Sequence, residues 1–164
     1  MIVTIQSADL KDNYILDITM TNGNQLSLDM TPYLDTVQFV SLRDKTIWKN
    51  VVVLETSLRW QGKSKVEISI DTLMGMVKEE KQFGQVASKI REATADECWR
   101  LSLWLENGNS ITFNVRELLD YSLFAPLSQK RLWKTMKAKE HSLMWEDKNI
   151  KIELPINTLF DYFA

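Results

Sequence analysis

The feature that most constrains this chain is an internal repeat. When the sequence is aligned with itself at an offset of 85 residues, Asn22-Gly23-Asn24 falls on Asn107-Gly108-Asn109. Trp48 falls on Trp133 and Trp60 on Trp145 at the same offset. Tryptophan is a rare residue, so two aligned tryptophans are hard to obtain by chance. The repeat predicts two copies of one structural unit.

The repeat divides the 164 residues into a first repeat over 1–77, a connector over 78–90 and a second repeat over 91–164. A unit of that size buries only a marginal core by itself. We therefore expect the two copies to pack as a pseudo-twofold pair across a shared apolar face. Two flexibly linked units are the alternative.

Alternating apolar residues in each repeat predict two half-buried strands on either side of the Asn-Gly dipeptide. A three-residue loop, Thr21-Asn22-Gly23, pairs Ile18 with Leu26, whereas a two-residue loop would pair apolar with polar residues. The longer loop also places its glycine in the left-handed conformation. The second repeat indicates the same register, because it then pairs Leu103 with Ile111.

Short helices are expected after these strands. The N-terminal signals are Thr31-Pro32 in the first repeat and the capping-box spacing of Asn114 and Glu117 in the second. Further short helices are predicted over 43–49 and 128–134 with Trp48 and Trp133 facing inward, and Asp71 and Asn157 are expected to cap the closing helices. The predicted class is α+β, with two small antiparallel-sheet units and short helices. Pro155 indicates that the last strand lies at an edge or ends there.

The composition is that of an ordinary globular protein, with 45 % hydrophobic and 26 % charged residues. The 22 acidic and 20 basic residues give a formal charge of −2, so no strong overall field favours nucleic acid or an anionic membrane. The single cysteine cannot form an intramolecular disulfide, which predicts a cytoplasmic location. No signal peptide or transmembrane segment is recognisable.

The apolar framework resembles a known bacterial family. In the first repeat the pattern is Phe39-x-x-Leu42-x-Asp44-x-x-x-Trp48, then Leu58-x-Trp60, then Val66-x-Ile68-x-Ile70-Asp71-x-Leu73; the second repeats it in Phe124-Ala125-Pro126-Leu127, Trp133, Trp145 and 152–159. In these residues the chain looks like two tandem copies of the domain of unknown function family 2442, with Gln129 replacing the aspartate in the second. The resemblance implies no established activity. Members often lie beside small toxin-like genes, which implies an antitoxin-like, partner-binding role.

Catalytic motifs are scarce. His141 and Cys98 are single residues that align with Thr56 and Asn13, so neither belongs to the repeated pattern. The sequence holds no phosphate-binding loop and no zinc-ligand spacing, so we expect no cofactor and no metal. One pair of acids, Asp35 and Asp120, recurs at equivalent positions. These acids could face each other across the pseudo-twofold axis, or each could end a short helix in solvent.

Two features are candidate binding sites. Trp104 is predicted to point outward and aligns with Thr19, so it could contact a partner or the other copy. A local basic cluster comprises Lys130, Arg131, Lys134, Lys137 and Lys139. Helical spacing would place Lys130, Lys134 and Lys137 on one face, where they could meet phosphate or an acidic partner. The alternative is a solvated helix face.

The leading hypothesis is a non-enzymatic bacterial protein-interaction module that presents a sheet face or edge to a protein partner. The family resemblance implies an antitoxin-like form of this role. Its candidate binding residues are Trp104, Lys130, Arg131, Lys134 and Lys137. The alternatives are a nucleic-acid binder that uses the basic cluster and a carboxylate-dependent enzyme. No membrane partner is expected, and the oligomeric state stays open.

Overall fold

A computed structural model describes residues 2–62, 65–79 and 88–164. It is a mixed α+β structure, built mostly of antiparallel strands with few short helices, in agreement with the predicted class. The strands are β1 (Ile5–Leu10), β2 (Ile15–Met20), β3 (Gln25–Asp29), β4 (Val51–Val53), β5 (Ser57–Trp60), β6 (Val66–Ser69), β7 (Ile90–Ala95), β8 (Arg100–Leu105), β9 (Ser110–Asn114), β10 (Lys137–Ala138), β11 (Ser142–Asp147) and β12 (Ile150–Pro155). The α-helices are α1 (Lys45–Lys49), α2 (Ile70–Lys78), α3 (Lys130–Trp133) and α4 (Ile156–Phe160).

The largest element is a six-stranded sheet in the order β1-β2-β3-β9-β8-β7. Residues 2–79, called here the first half, supply three adjacent strands, and residues 88–164, the second half, supply the other three. Every second residue along β2 and β8 is buried, as the alternation of apolar residues predicts. One face of the sheet therefore lies on the hydrophobic core, and the opposite face carries polar side chains.

The hairpin loops at the Asn-Gly dipeptides have the predicted length. Ile18 pairs with Leu26, and Leu103 pairs with Ile111. The Gly23 amide donates to the Met20 carbonyl at 3.0 Å, and φ is 87° at Gly23 and 91° at Gly108. The predicted three-residue loops with a left-handed glycine are confirmed.

The two halves meet at the β3–β9 pair in the centre of the sheet. Leu26 lies opposite Ile111, and these two residues are themselves 85 positions apart. On one side Gln25 pairs with Thr112, and on the other Ser27 pairs with Ser110. The residue before the central pair in one half therefore lies opposite the residue after it in the other half.

Asparagines of the two Asn-Gly-Asn loops tie each half to the other. Asn24 donates through Nδ2 to the Phe163 carbonyl at 2.7 Å and accepts through Oδ1 from the Asn114 amide at 2.6 Å. Asn22 also donates through Nδ2 to the Phe163 carbonyl, at 3.1 Å. The loop of the first half thus holds the chain just after α4.

The loop of the second half makes the corresponding contacts. Asn107 donates through Nδ2 to the Val77 and Glu79 carbonyls at 2.7 and 2.8 Å. Asn109 donates to the Val77 carbonyl at 3.1 Å and accepts from the Asp29 amide at 2.8 Å. Helices end with carbonyls that lack intrahelical partners, and these side chains satisfy such carbonyls at the end of α2. Asn22, Asn24, Asn107 and Asn109 together are called the asparagine clasp.

Two three-stranded sheets, β4-β5-β6 and β10-β11-β12, complete the fold. Trp60 on β5 stacks on Trp48 of α1, and Trp145 on β11 stacks on Trp133 of α3, with ring centroids 6.0 Å apart in both cases. All four are buried, as the inward-facing prediction for Trp48 and Trp133 requires. Pro155 lies exposed at the end of β12, an edge strand, as expected.

The predicted helix starts are partly wrong. Thr31 is not an N-cap: Met30 precedes the 3-10 helix Thr31–Tyr33, and Asp29 Oδ1 accepts from the Thr31 amide at 2.9 Å. Asn114 forms no capping bond with its own helix, because its side chain donates to the Asn22 carbonyl across the sheet. The helices predicted over 43–49 and 128–134 begin later, at Lys45 and Lys130, after 3-10 turns.

The closing helices, in contrast, begin earlier than expected. Ser69, the last residue of β6, is extended and accepts from the Thr72 amide at 3.2 Å, so it is the N-cap of α2 and Asp71 lies in the first turn. Helix α4 starts directly after Pro155 without a side-chain cap, and Asn157 lies inside it. In both halves the strand passes into the helix without a loop.

Both outer strands of the large sheet are irregular at their start. The register shifts between Ile5 and Ser7 in β1 and between Ile90 and Glu92 in β7. The Ile5 amide donates to the Glu55 carbonyl and the Ile90 amide to the Glu140 carbonyl, each at 2.8 Å. Each edge strand is thereby bulged and attached to a later segment of its own half.

Part of the predicted connector over 78–90 lies outside the described residues, namely 80–87. At the start of the connector, α2 ends at Lys78. The Ser88 amide donates to the Lys78 carbonyl at 2.7 Å. The boundaries predicted at 77 and 91 stay predictions.

Candidate functional site

Two hairpins place an aromatic residue in a left-handed conformation. Tyr14, at the β1–β2 turn, has φ 64°, and Trp99, at the β7–β8 turn, has φ 59°. A left-handed conformation costs a residue with a Cβ about 1–2 kcal/mol. Tyr14 packs against Trp48 with ring centroids 5.3 Å apart, and the Trp99 indole N–H donates to the Leu127 carbonyl at 3.0 Å. The fold maintains both conformations through such contacts.

A small cavity of about 100 Å³ opens beside Trp99 in the second half. It is lined by Glu97, Trp99, Lys130, Trp133 and Lys134, and is called here the Trp99 pocket. Lys130 Nζ lies 5.8 Å from the Trp99 ring centroid. Arg116 Cζ lies 5.5 Å from the same centroid, so two cations contact one indole.

The first half has a wider concavity at the corresponding place, lined by Asp12, Lys45, Thr46, Lys49 and Asn50. Asp12, Lys45 and Lys49 lie 85 positions before Glu97, Lys130 and Lys134. Lys49 forms an ion pair with Asp12, and its hydrogen bond lowers the pKa of the Asp12 carboxyl below the ordinary value. In the first concavity, therefore, the acid of the lining is paired with one of its two lysines.

The structure divides the predicted basic cluster. Lys130, Lys134 and Lys137 do not share a helix face, because α3 ends at Trp133 and Lys137 lies on β10. The helical spacing is interrupted where the chain turns toward the small sheet. Two further members have acidic neighbours: Arg131 Nε lies 3.4 Å from Asp147, and Lys139 Nζ lies 3.2 Å from Glu153. Only Lys130 and Lys134 are brought together in a cavity.

Trp104 is not part of that cluster. It lies on the polar face of the six-stranded sheet. It is partly exposed on β8, opposite Glu92 on β7 and Ser110 on β9. The outward orientation predicted for Trp104 is confirmed. A shallow concavity of about 480 Å³ occupies the centre of this polar face, which is called here the open face.

The open face carries hydroxyl, amide and carboxylate groups around the junction of the two halves. The concavity is lined by Ser7, Asp9, Asp17, Ile18, Thr19, Gln25, Leu26, Ser27, Ser110, Ile111 and Thr112. Asp9 lies directly opposite Asp17 on the neighbouring strand, a like-charge arrangement that is unfavourable by itself. Lys11 Nζ lies 2.9 Å from Asp17, and the hydrogen bond raises the pKa of Lys11.

The remaining candidate residues lie at the surface. Asp35 is exposed and forms an ion pair with Arg43, and Asp120 is exposed directly after a 3-10 segment. Cys98 and His141 are also exposed. Within residues 2–62, 65–79 and 88–164, no group of three or more His, Cys, Asp or Glu residues could hold a metal ion.

Trp99, Arg116 and the clasp asparagines are not among the residues that the sequence predicts to bind. The two Asn-Gly-Asn segments predict turns only. The offset of 85 residues did contain a signal, because Arg116 aligns with Thr31 and Trp99 with Tyr14, which marks this corner as a place where the halves differ.

Scans of the chain against models of protein families, against curated proteins and against solved structures found no match. The resemblance to family 2442 therefore stays a prediction. Among the described helices, none combines the length and the apolar character needed to cross a membrane.

Proposed function

We propose that this chain is a non-enzymatic interaction module whose open face binds a protein partner. In this proposal its two repeats pair about a pseudo-twofold axis through the Leu26–Ile111 pair. An antitoxin-like role, which the family resemblance implies, is one form that such a module takes.

The exchanged register and the asparagine clasp support the pseudo-twofold arrangement. A twofold axis through Leu26 and Ile111 relates the Gln25–Thr112 pair to the Ser27–Ser110 pair. The same operation relates the Asn24–Asn114 bond to the Asn109–Asp29 bond. It also relates the tryptophan pairs Trp48–Trp60 and Trp133–Trp145.

The observation that carries the binding function is the polar concavity on the open face of the sheet. Its lining residues come from β1, β2, β3 and β9, so it includes the junction between the halves. Asp9 and Asp17 face each other there, and Lys11 forms an ion pair with Asp17 and attracts Asp9 more weakly. A partner that brings a cation to Asp9 relieves this repulsion, so charge complementarity favours a partner with a basic contact surface.

The two alternative functions have less support. Asp35 and Asp120 are exposed, whereas a carboxylate pair with perturbed proton affinity needs a sheltered site. The basic cluster loses Arg131 and Lys139 to acidic neighbours, which reduces the positive surface that a nucleic-acid backbone would need.

The proposal is tested by recovering the full chain with its partner from the native host. The partner is then purified and its affinity measured by calorimetry. The variant Asp9→Lys/Ser27→Lys places two cations on the open face and should weaken binding at least tenfold. The matched variant Glu117→Lys/Glu146→Lys changes exposed residues outside the open face and should bind as the original chain does.

Both variants must first give the thermal transition of the original chain. Recovery of the chain alone, as a monomer, would count against an interaction module. Equal affinity of the two charge variants for a recovered partner would place its contact elsewhere and refute the open face.

A further inference from the structure

The Trp99 pocket and the corresponding concavity of the first half are each lined by two lysines and one acid, but they differ in how these charges are paired. Lys130 and Lys134 line the Trp99 pocket, and Arg116 contacts the same indole. Glu97 is the one acid in the lining. Across the part of the chain that is described, neither Glu97 nor Lys134 takes part in an ion pair.

Two substitutions and one missing ion pair distinguish the second cavity from the first. Thr31 of the first half becomes Arg116, which adds a cation above the ring. Asp44, whose side chain accepts from the Thr46 amide at the start of α1, becomes Gln129, which removes an anion. The Lys49–Asp12 ion pair has no counterpart between Lys134 and Glu97.

The geometry limits what can enter. A cavity of about 100 Å³ is small, and a small tetrahedral or planar oxyanion fits its size. The Trp99 and Trp133 indole N–H groups already donate to the Leu127 and Asp96 carbonyls, so the two lysines supply the cationic donors of the lining.

We propose that the Trp99 pocket binds a small oxyanion, a phosphate or carboxylate group, between Lys130 and Lys134. The anion pairs with Lys134, whose counterpart Lys49 pairs with the Asp12 carboxylate in the first half. The pocket is separate from the open face, so this site can be present or absent whatever the partner of the sheet is.

The experiment uses the full chain labelled with ¹⁵N and follows the indole N–H signals of its six tryptophans. Inorganic phosphate is added at pH 7, with sodium chloride adjusted to hold ionic strength constant, because screening by salt weakens such contacts. The Trp99 and Trp133 signals should shift and saturate, while those of Trp48 and Trp60 stay in place. A parallel titration with acetate distinguishes a phosphate from a carboxylate ligand.

Lys134→Gln should weaken phosphate binding about tenfold, since a hydrogen bond to a charged group is lost. Lys49→Gln is the matched control in the first half and should leave the affinity unchanged. Lys130→Gln provides a second independent variant, and both lysines are exposed, so folding should be retained.

Three results would overturn the proposal. One is the absence of saturation with either anion below about 50 mM. Another is an equal loss of affinity in Lys134→Gln and Lys49→Gln. The third is a uniform shift of all six indole signals, which would indicate a general effect of the added salt.

Discussion

At the residue scale, the clasp asparagines have a second role beside turning the chain. Asn24, Asn107 and Asn109 are only 2 %, 4 % and 3 % exposed, although amide side chains usually lie in solvent. A buried amide is tolerated when its donors and acceptors have partners. Here the partners are backbone groups of the other half, so the motif couples two distant parts of the chain.

Asn24→Ala should lower the free energy of unfolding by about 1–3 kcal/mol, because the Phe163 carbonyl and the Asn114 amide both lose a partner. Urea denaturation followed by circular dichroism measures the change. Asn149→Ala is the control at an exposed position and should alter stability by less than about 0.5 kcal/mol. A loss at Asn24 no greater than at Asn149 would show that the clasp adds no stability.

At the element scale, local signals predicted some hairpins and helices well and others poorly. The Asn-Gly loops could be predicted because the dipeptide and the pairing register of the flanking strands indicate the same turn. All of these residues lie within about ten positions of one another. The Asn114 cap could not, because its side chain bonds to the Asn22 carbonyl, which is distant in the sequence. At Thr31 a local turn replaces the cap, because the Asp29 side chain accepts from the Thr31 amide two residues on. No local rule places Tyr14 or Trp99 in the left-handed region, which glycine usually fills.

Two glycine substitutions should have opposite effects on stability. Gly23→Ala forces a side chain into a left-handed residue and brings its Cβ within 3.2 Å of Asn114 Nδ2, so it should destabilise by at least about 1–2 kcal/mol. Gly75→Ala, inside α2 with nothing within 4 Å of the new Cβ, should stabilise by about 0.5–1 kcal/mol. Thermal and urea unfolding of both variants test the signs.

A destabilised Gly75→Ala would contradict the helix assignment at that position. An unchanged Gly23→Ala would contradict the left-handed turn.

At the scale of the whole molecule, the buried residues of both halves form one hydrophobic cluster. That the two halves share an apolar core could be predicted from the small size of each half. The way in which they share it could not, because pairing between β3 and β9 joins residues 85 positions apart without a local signal. The Trp99 pocket could be predicted only in part. The sequence indicates Lys130 and Lys134 as binding residues, but it does not indicate Trp99, which lines the same cavity.

Leu26→Ala should destabilise both halves together, because Leu26 is buried at the junction and pairs with Ile18 and Ile111. The expected loss is about 2–5 kcal/mol. Amide hydrogen exchange should show that the protected amides of β2 and β8 lose the same free energy of opening. Val53→Ala, at a residue 38 % exposed on β4, should leave both sets nearly unchanged.

Loss of protection in β2 without loss in β8 would mean that the halves unfold independently. That result would favour two separate units over a shared sheet.

The bulges at the start of β1 and β7 set a limit on how far this architecture can extend. A sheet that joins two halves through a strand edge still has two outer edges, and a regular edge is a template for a further chain. Here each outer strand changes register at Ile5 or Ile90 and bonds back to its own half. Edge-to-edge polymerisation is thus opposed at both ends, while the junction itself stays a regular ladder.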